Sequence, residues 1–409
     1  MRVLHITTAF PRHRDDPVVP WLVELLKRLR AEHVDAEVLT SSYRGLGDHT
    51  FEGIPVHRFR YFPRRWENLT HEEAAPDRVR RSAVYKLAPL FFVAFGMRAA
   101  WKLGRRERYD VVHVHWPLPL ALLGWAAARA SHASRVTLFY GVELRLVARA
   151  FPALRGFLRW AIRSSQRVVA ISRYTAREVQ ALAPGCDVEV IPYTYELPEA
   201  RRISRRHEGG PTILFVGRLV ERKGVPVLVD ALAELRRSIQ ARLVIVGDGP
   251  ERAAVERRAA ERGVRDAIEV RGRVSDDGLR AAYAESDVFV LPAIVDSRGD
   301  TEGLGVVLLE AMNFGVPVVG SAVGGILDVV VPEESGLLVR PGDAEALAAA
   351  LRRLLTDGAL AARLGEAGRR RVQTHFSWDT IVARWLSVYR RVARPAIGRD
   401  ASCAQTPLA

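Results

Sequence analysis

The chain has 409 residues, 48% of them hydrophobic, and carries 61 Lys and Arg against 47 Asp and Glu, a formal net charge of +14. That length is more than one ordinary core accommodates and suits two α/β units of about 190 residues each. The two cysteines, Cys186 and Cys403, make neither a disulfide framework nor a metal-ligand set, which excludes a disulfide-built secreted domain and predicts a reducing cytoplasm.

From the start, Met1 to Thr8 lacks an apolar core long enough for a signal peptide and reads as a first strand, Val3–Thr7. Strands follow at Ala36–Thr40, Val56–Tyr61, Val111–Val114, Val136–Phe139 and Val168–Ile171, with helical patterns at Trp21–Arg30 and Leu118–Ala130. Residues 1–197 carry a net +11 and residues 198–409 only +3. Between Arg58 and Arg108, 13 basic and 5 acidic residues surround an apolar stretch from Leu87 to Ala100, shorter than the roughly 20 residues that span a bilayer. Two readings of it stay open: an anionic membrane surface, or a core helix edged with solvated arginines. A nucleic-acid partner is not expected, because no nucleic-acid-binding module accompanies the charge.

Arg201 to Pro211, with its Arg-Arg and Gly-Gly-Pro clusters, predicts a linker. Beyond it, strands at Ile213–Gly217, Arg242–Val246, Ile268–Val270, Val288–Leu291, Pro317–Gly320 and Gly336–Val339 alternate with helices, the pattern of a parallel sheet. Trp378–Val392 is an aromatic-rich amphipathic helix.

The chemistry concentrates in two loops. Glu302 and Glu310 lie eight positions apart, the first in a Gly-punctuated loop and the second in the apolar run that follows. A loop entering a helix points free N–H groups and the positive end of the helix dipole outward, so Gly303, Leu304, Gly305 and Val306 form a candidate phosphate seat. The flanking carboxylates can accept hydrogen bonds from sugar hydroxyls. In the other loop, the strand ending in Gly217 runs into Arg218 and Lys223, two cations suited to a diphosphate. Only four of the 61 basic residues are lysine, and Lys223 is the only one after residue 102, which favours a role for a compact ammonium there.

These segments resemble the E-x7-E and Gly-Arg-Leu…Lys-Gly signatures of family 4 retaining glycosyltransferases. The resemblance implies the GT-B fold, two Rossmann-like doubly wound domains facing across a cleft. It assigns residues 1–197 to acceptor binding and 198–375 to the nucleotide-sugar donor. Residues 376–393 become a helix returning to the first domain, and 394–409 a disordered tail. It also implies that Glu302 holds the donor sugar, Glu310 the ribose, and Arg218 and Lys223 the leaving diphosphate. Leu243 to Pro250 resembles the family's Gly-x-Gly-Pro turn, with Gly247 approaching the nucleoside. Val274 and Ser275 fall in the loop that recognises the base, and the Gly-Gly pair at 324–325 and the run from Gly336 to Asp343 also match in order.

The first half departs from the pattern. Tyr140 stands where relatives have a histidine beside the transferred sugar, and a phenol donates hydrogen bonds but is a poor base near neutrality. The loop from Phe10 to Pro17 lacks a Gly-Gly pair, and Tyr193 to Tyr195 replaces the end of a Pro-Asn-Gly motif. His113 and His115 share one strand face and are expected to be buried and hydrogen-bonded, with no metal bound.

The implied activity is transfer of a sugar from a nucleotide-diphosphate sugar, with no cofactor and no metal, to a glycan or lipid-linked glycan. Polysaccharide or envelope glycolipid assembly is its expected setting, in the cytoplasm or on the inner face of the plasma membrane. Two alternatives accompany it. One is a sugar-nucleotide-binding protein that has lost catalysis. The other is a two-domain nicotinamide-dependent oxidoreductase, disfavoured because no G-x-G-x-x-G follows the first strand.

Overall fold

The computed structural model describes residues 1–14, 16, 18–71, 78, 83–149, 151–194 and 210–393. The expected tail lies outside these residues, as does all of the linker before Gly210.

The first sheet consists of β1 (Arg2–Ile6), β2 (Asp35–Ser41), β3 (His49–Phe51), β4 (Ile54–Phe59), β5 (Val111–His115), β6 (Ser134–Phe139), β7 (Arg167–Ala170) and β8 (Val188–Val190), in the order β3-β4-β2-β1-β5-β6-β7-β8. The second consists of β9 (Thr212–Val216), β10 (Arg242–Val246), β11 (Ile268–Gly272), β12 (Val288–Leu291), β13 (Val318–Ser321) and β14 (Leu337–Val339), in the order β11-β10-β9-β12-β13-β14. Both are parallel apart from the β3–β4 hairpin. Every residue of β5, β6, β9 and β12 is buried, as parallel strands covered on both faces require.

The strands alternate with helices, which makes the protein two Rossmann-like units. In each sheet the chain direction across the sheet reverses once, between β1 and β5 and between β9 and β12. The loops leaving those strands diverge and open a crevice, the usual ligand position in such sheets.

The sequence reading missed β3 and β8, three-residue strands too short for a periodic signal. The β3–β4 turn nevertheless has a local cause, since Glu52 and Gly53 both adopt positive φ, at 46° and 80°.

The apolar stretch after Leu87 becomes the Ala88–Glu107 helix, which buries Ala88, Phe92, Gly96, Ala100 and Leu103 at helical spacing. It crosses the Pro117–Ser131 helix closely at Gly104, where an added Cβ would lie 2.6 Å from the Ala127 carbonyl oxygen. Its other face leaves Leu87, Leu90, Phe91, Phe95 and Trp101 exposed. No helix among the described residues is long and apolar enough to cross a membrane.

One end of the basic segment needs correction. Arg58 is buried, and its guanidinium donates to the carbonyls of Phe10, Pro11 and Ser41, so it braces the loop after β1 and adds no surface charge.

The Trp378–Val392 helix returns to the first unit. It packs on the Pro20–Ala31 helix and bonds the first sheet at three points, one of them Arg391 to Glu189 of β8 at 2.5 Å. The Tyr389 hydroxyl lies 2.7 Å from His113 Nδ1, and Ser134 donates to the Val392 carbonyl at 2.6 Å.

Candidate active site

The loops after β9 and β12 bind each other at the reversal point of the second sheet. Glu221 accepts hydrogen bonds from the Ser297 backbone and hydroxyl at 2.8 and 2.7 Å, and Ile294 N–H donates to the Arg222 carbonyl at 2.9 Å. Gly224, at φ 65°, packs where a Cβ would sit 1.9 Å from the Pro292 carbonyl oxygen, so the crossing requires glycine. From the far side, Gly325 N–H donates to the Glu302 carbonyl at 2.9 Å, and a Cβ on Gly324 would meet that oxygen at 2.1 Å.

This packing brings Lys223 Nζ to 2.6 Å and Arg222 Nη1 to 3.2 Å from one oxygen of the buried Glu302. Burial alone would raise the Glu302 carboxyl, but the two cations overcome it and hold the group at about 2. Glu302 is therefore a permanent carboxylate at working pH. Lys223, expected as a mobile point charge, is instead buried and fixed by this pair.

Beside the cluster, Gly305 at φ 90° starts the Val306–Asn313 helix, with Gly303 and Leu304 just ahead of it. A first helical turn leaves N–H groups without helical partners, and Gly303 to Val306 form the loop-to-helix junction on which the expected phosphate seat rests.

Glu310 sits one turn along the helix and accepts a hydrogen bond from the Tyr283 hydroxyl at 2.5 Å. Burial pushes its carboxyl up to about 7, against the Tyr283 bond and the Lys223 charge. The loop and the helix it enters thus carry two carboxyl groups of opposite character, Glu302 charged and Glu310 titrating near neutrality.

A cavity of about 600 Å³ opens at the ends of β9, β10 and β11. Its walls include Gly217, Arg218, Gly247, Asp248, Arg273, Val274 and Leu279. Gly247 could not be another residue, because at φ 131° its Cβ would lie 2.0 Å from the Gly217 carbonyl oxygen. Ser275 spends its side chain as the cap of the Asp276–Ala284 helix, accepting from Gly278 N–H at 3.2 Å. The predicted residues thus fall into two neighbouring groups, a cavity lined by Gly217, Arg218, Gly247 and Val274, and the Lys223–Glu302 cluster ahead of Glu310.

The first unit meets this site directly. Arg145 reaches across to Asp300, with Nε and Oδ1 2.5 Å apart, and also pairs with Glu178 at 3.0 Å. A Cβ on Gly303 would lie 3.7 Å from the Tyr140 carbonyl oxygen, so the loop carrying Tyr140 borders the Gly303 loop. Tyr140 stacks on Trp116 with ring centroids 4.3 Å apart, and Trp21 and Tyr193 complete an aromatic wall at 5.6 and 6.2 Å from its ring. Burial raises the Tyr193 phenol, and so do the charges of Glu302 and Glu310.

His113 and His115 are buried as expected, and His5 joins them from β1. Among the described residues, these three are the one group whose ring nitrogens could share a metal, all lying within 4.8 Å. No cysteine or carboxylate joins them; four of the six ring nitrogens bond one another or a tyrosine, while His5 Nε2 and His113 Nε2 have no hydrogen-bond partner.

Sequence reasoning passed over Arg222, Arg145, Trp21 and Trp116. Arg222 stood in plain sight between Glu221 and Lys223. Arg145 gave no signal, because its partner Asp300 comes from the other unit.

Comparison with known proteins agrees with this geometry. Residues 197–371 match the family described as Glycosyl transferases group 1, and residues 18–195 match Glycosyltransferase Family 4. A GDP-mannose-dependent alpha-(1-6)-phosphatidylinositol monomannoside mannosyltransferase of Mycolicibacterium smegmatis is 35% identical over 363 residues, 84% of this chain and 94% of the relative. Among solved structures, sucrose-phosphate synthase of Thermosynechococcus elongatus aligns with a TM-score of 0.73 at 23% identity, over 95% of this chain and 98% of that one. Anabaena HepE in complex with UDP and glucose aligns at 0.69 and 19%, over 96% and 100%. The two structures share the GT-B fold with this protein. The oxidoreductase alternative falls with these matches, and the chain belongs to glycosyltransferase family 4.

Proposed function

We propose that the protein is a retaining glycosyltransferase that moves a hexose from a nucleotide-diphosphate sugar to a lipid-linked glycan. The observation that carries this reading is the Lys223–Glu302–Arg222 cluster at the reversal point of the second sheet, next to a cavity able to take a nucleoside. In this reading the base and ribose occupy the cavity between Gly217, Gly247 and Val274, with the Val274–Ser275 backbone against the base and Glu310 on the ribose. The diphosphate lies between Arg218, Lys223 and the N–H groups of Gly303, Leu304, Gly305 and Val306. The sugar is held by Glu302, with Tyr140 opposite.

When the anomeric C–O bond breaks, its electron pair stays on the diphosphate. The cations and N–H groups stabilise that growing charge in a closed site, with no metal required. Glu302, ionised throughout, balances the oxocarbenium-like sugar. The acceptor hydroxyl attacks from the face the diphosphate leaves, and its proton passes to the departing phosphate oxygen. The anomeric configuration is retained without a carboxylate nucleophile, unlike the double displacement of many glycosidases. The preserved charge cluster favours this over the reading in which catalysis is lost.

The acceptor class follows from the surface. Leu87, Leu90, Phe91 and Phe95 are exposed on a helix that also carries Arg98, Lys102, Arg105 and Arg106. Apolar side chains flanked by cations fit an anionic membrane face, where each nearby cation contributes about 1 kcal/mol. This supports a position for the enzyme at the inner face of the plasma membrane. The name of the mycolicibacterial relative makes GDP-mannose and a phosphatidylinositol mannoside the first substrates to test.

Three outcomes are expected. Incubation with GDP-mannose or UDP-glucose and a membrane lipid extract yields a glycolipid whose new linkage, read by NMR, keeps the donor's α configuration; an inverted β linkage contradicts the mechanism. Sedimentation with phosphatidylglycerol vesicles is strong at low salt, falls as salt rises, and is lost in the double variant Leu90→Glu/Phe95→Glu. Equal sedimentation of that variant removes the helix from the interface.

The third outcome concerns pH. With its carboxyl at about 7, Glu310 is protonated below neutrality and loses acceptor strength toward the ribose. Nucleoside diphosphate affinity should weaken as pH falls through about 7, and Glu310→Gln should remove that component while binding about tenfold more weakly at pH 8. Parallel profiles for the two proteins would exclude the ribose contact.

A further inference from the structure

Tyr140 ends a chain of hydrogen bonds that runs through the first sheet. Its hydroxyl lies 3.0 Å from His115 Nδ1, and His115 Nε2 lies 3.1 Å from His5 Nδ1. His5 Nε2, at the far end, is buried with no hydrogen-bond partner. The two histidines come from β5 and β1, the strands flanking the reversal point of the first sheet, so the chain of bonds leads from the sheet interior to the crevice. His113 stacks on His115 at 4.1 Å but turns its Nδ1 to Tyr389 and stays outside the chain.

Burial lowers the pKa of both histidines, His5 to about 3, and raises that of the Tyr140 phenol. Each imidazole therefore holds one proton, and the phenol keeps its own. Only two proton arrangements satisfy both inner bonds. In one, Tyr140 donates to His115, His115 donates from Nε2 to His5, and His5 is left with a buried N–H that has no acceptor. In the other, His5 donates from Nδ1 to His115 Nε2, and His115 donates from Nδ1 to the Tyr140 oxygen. The orphan at His5 Nε2 is then a lone pair. Buried N–H groups without acceptors are the rarer defect, so the second arrangement is favoured. It leaves the Tyr140 proton unused inside the protein.

We propose that His5 and His115 are positioning residues that orient the Tyr140 hydroxyl as a hydrogen-bond donor toward a hydroxyl or ring oxygen of the bound sugar. The inference rests on the placement of Tyr140 beside the transferred sugar. It explains how a tyrosine serves at that position. A phenol whose proton went to His115 could only accept, whereas one that accepts from His115 is obliged to donate outward.

The test combines tautomer and rate. Long-range proton–nitrogen NMR of histidine-labelled protein should show His5 and His115 both protonated at Nδ1; protonation of both at Nε2 overturns the proposal outright. In the transfer assay, with GDP-mannose or UDP-glucose, whichever supports transfer, Tyr140→Phe should lower kcat about tenfold with little change in donor KM. His115→Phe should match it, and the double variant should be no slower than either single one. His115→Asn, whose amide N–H can stand in for Nδ1–H, should recover most of the rate. If Tyr140→Phe transfers at the wild-type rate, the placement of Tyr140 at the sugar fails and the inference with it. A slow Tyr140→Phe beside an unimpaired His115→Phe overturns the positioning role alone.

Discussion

A buried carboxylate with two cations drawn from a different loop organises this molecule. Glu302 could not remain ionised in its setting without Lys223 and Arg222, which share one of its oxygens. Removing one partner of such a pair typically costs about 3–5 kcal/mol, because the remaining charge keeps its desolvation penalty. The pair forms only where two loops leave neighbouring strands at the point where a parallel sheet reverses direction. The order β10-β9-β12 therefore precedes the chemistry. Asp300, two residues before Glu302, extends the same network to Arg145 and so ties the donor side to the first unit.

Much of the second unit was legible in the sequence. The apolar runs at Thr212–Val216, Arg242–Val246 and Val288–Leu291 are buried strands with their expected edges to within a residue. The glycines between them carry a readable constraint, since Gly224, Gly247 and Gly324 each sit where a Cβ would collide with backbone. What could not be read was pairing at a distance. Nothing local to Lys223 announces that its ammonium will be held by a residue 79 positions away. The same holds for His5, a single residue in an apolar strand that only the β1–β5 register places opposite His113.

The basic segment shows the limit of counting charges. Arg58, counted with its neighbours, proved to be a buried brace for the loop after β1, while the apolar stretch, open to both a membrane and a core reading, is half core and half exposed. The second outcome follows from the period of the Ala88–Glu107 helix, which turns Phe92 and Gly96 inward and Phe91 and Phe95 outward. The first unit has also replaced the family's usual polar groups with aromatic ones. Tyr140 and Tyr193 join Trp21 and Trp116 in one wall facing the Glu302 loop, so the departures seen separately in sequence converge at one place.

The central claim is that the Lys223–Glu302–Arg218 region receives a nucleoside diphosphate. Calorimetric titration of the purified chain with GDP, UDP, ADP and NADH, repeated on Arg218→Ala and Lys223→Ala, tests it directly. The account predicts saturable binding of one nucleoside diphosphate, weakened about tenfold or more in each variant. Tight binding of NADH alone, or nucleoside diphosphate affinity unchanged in both variants, would contradict it.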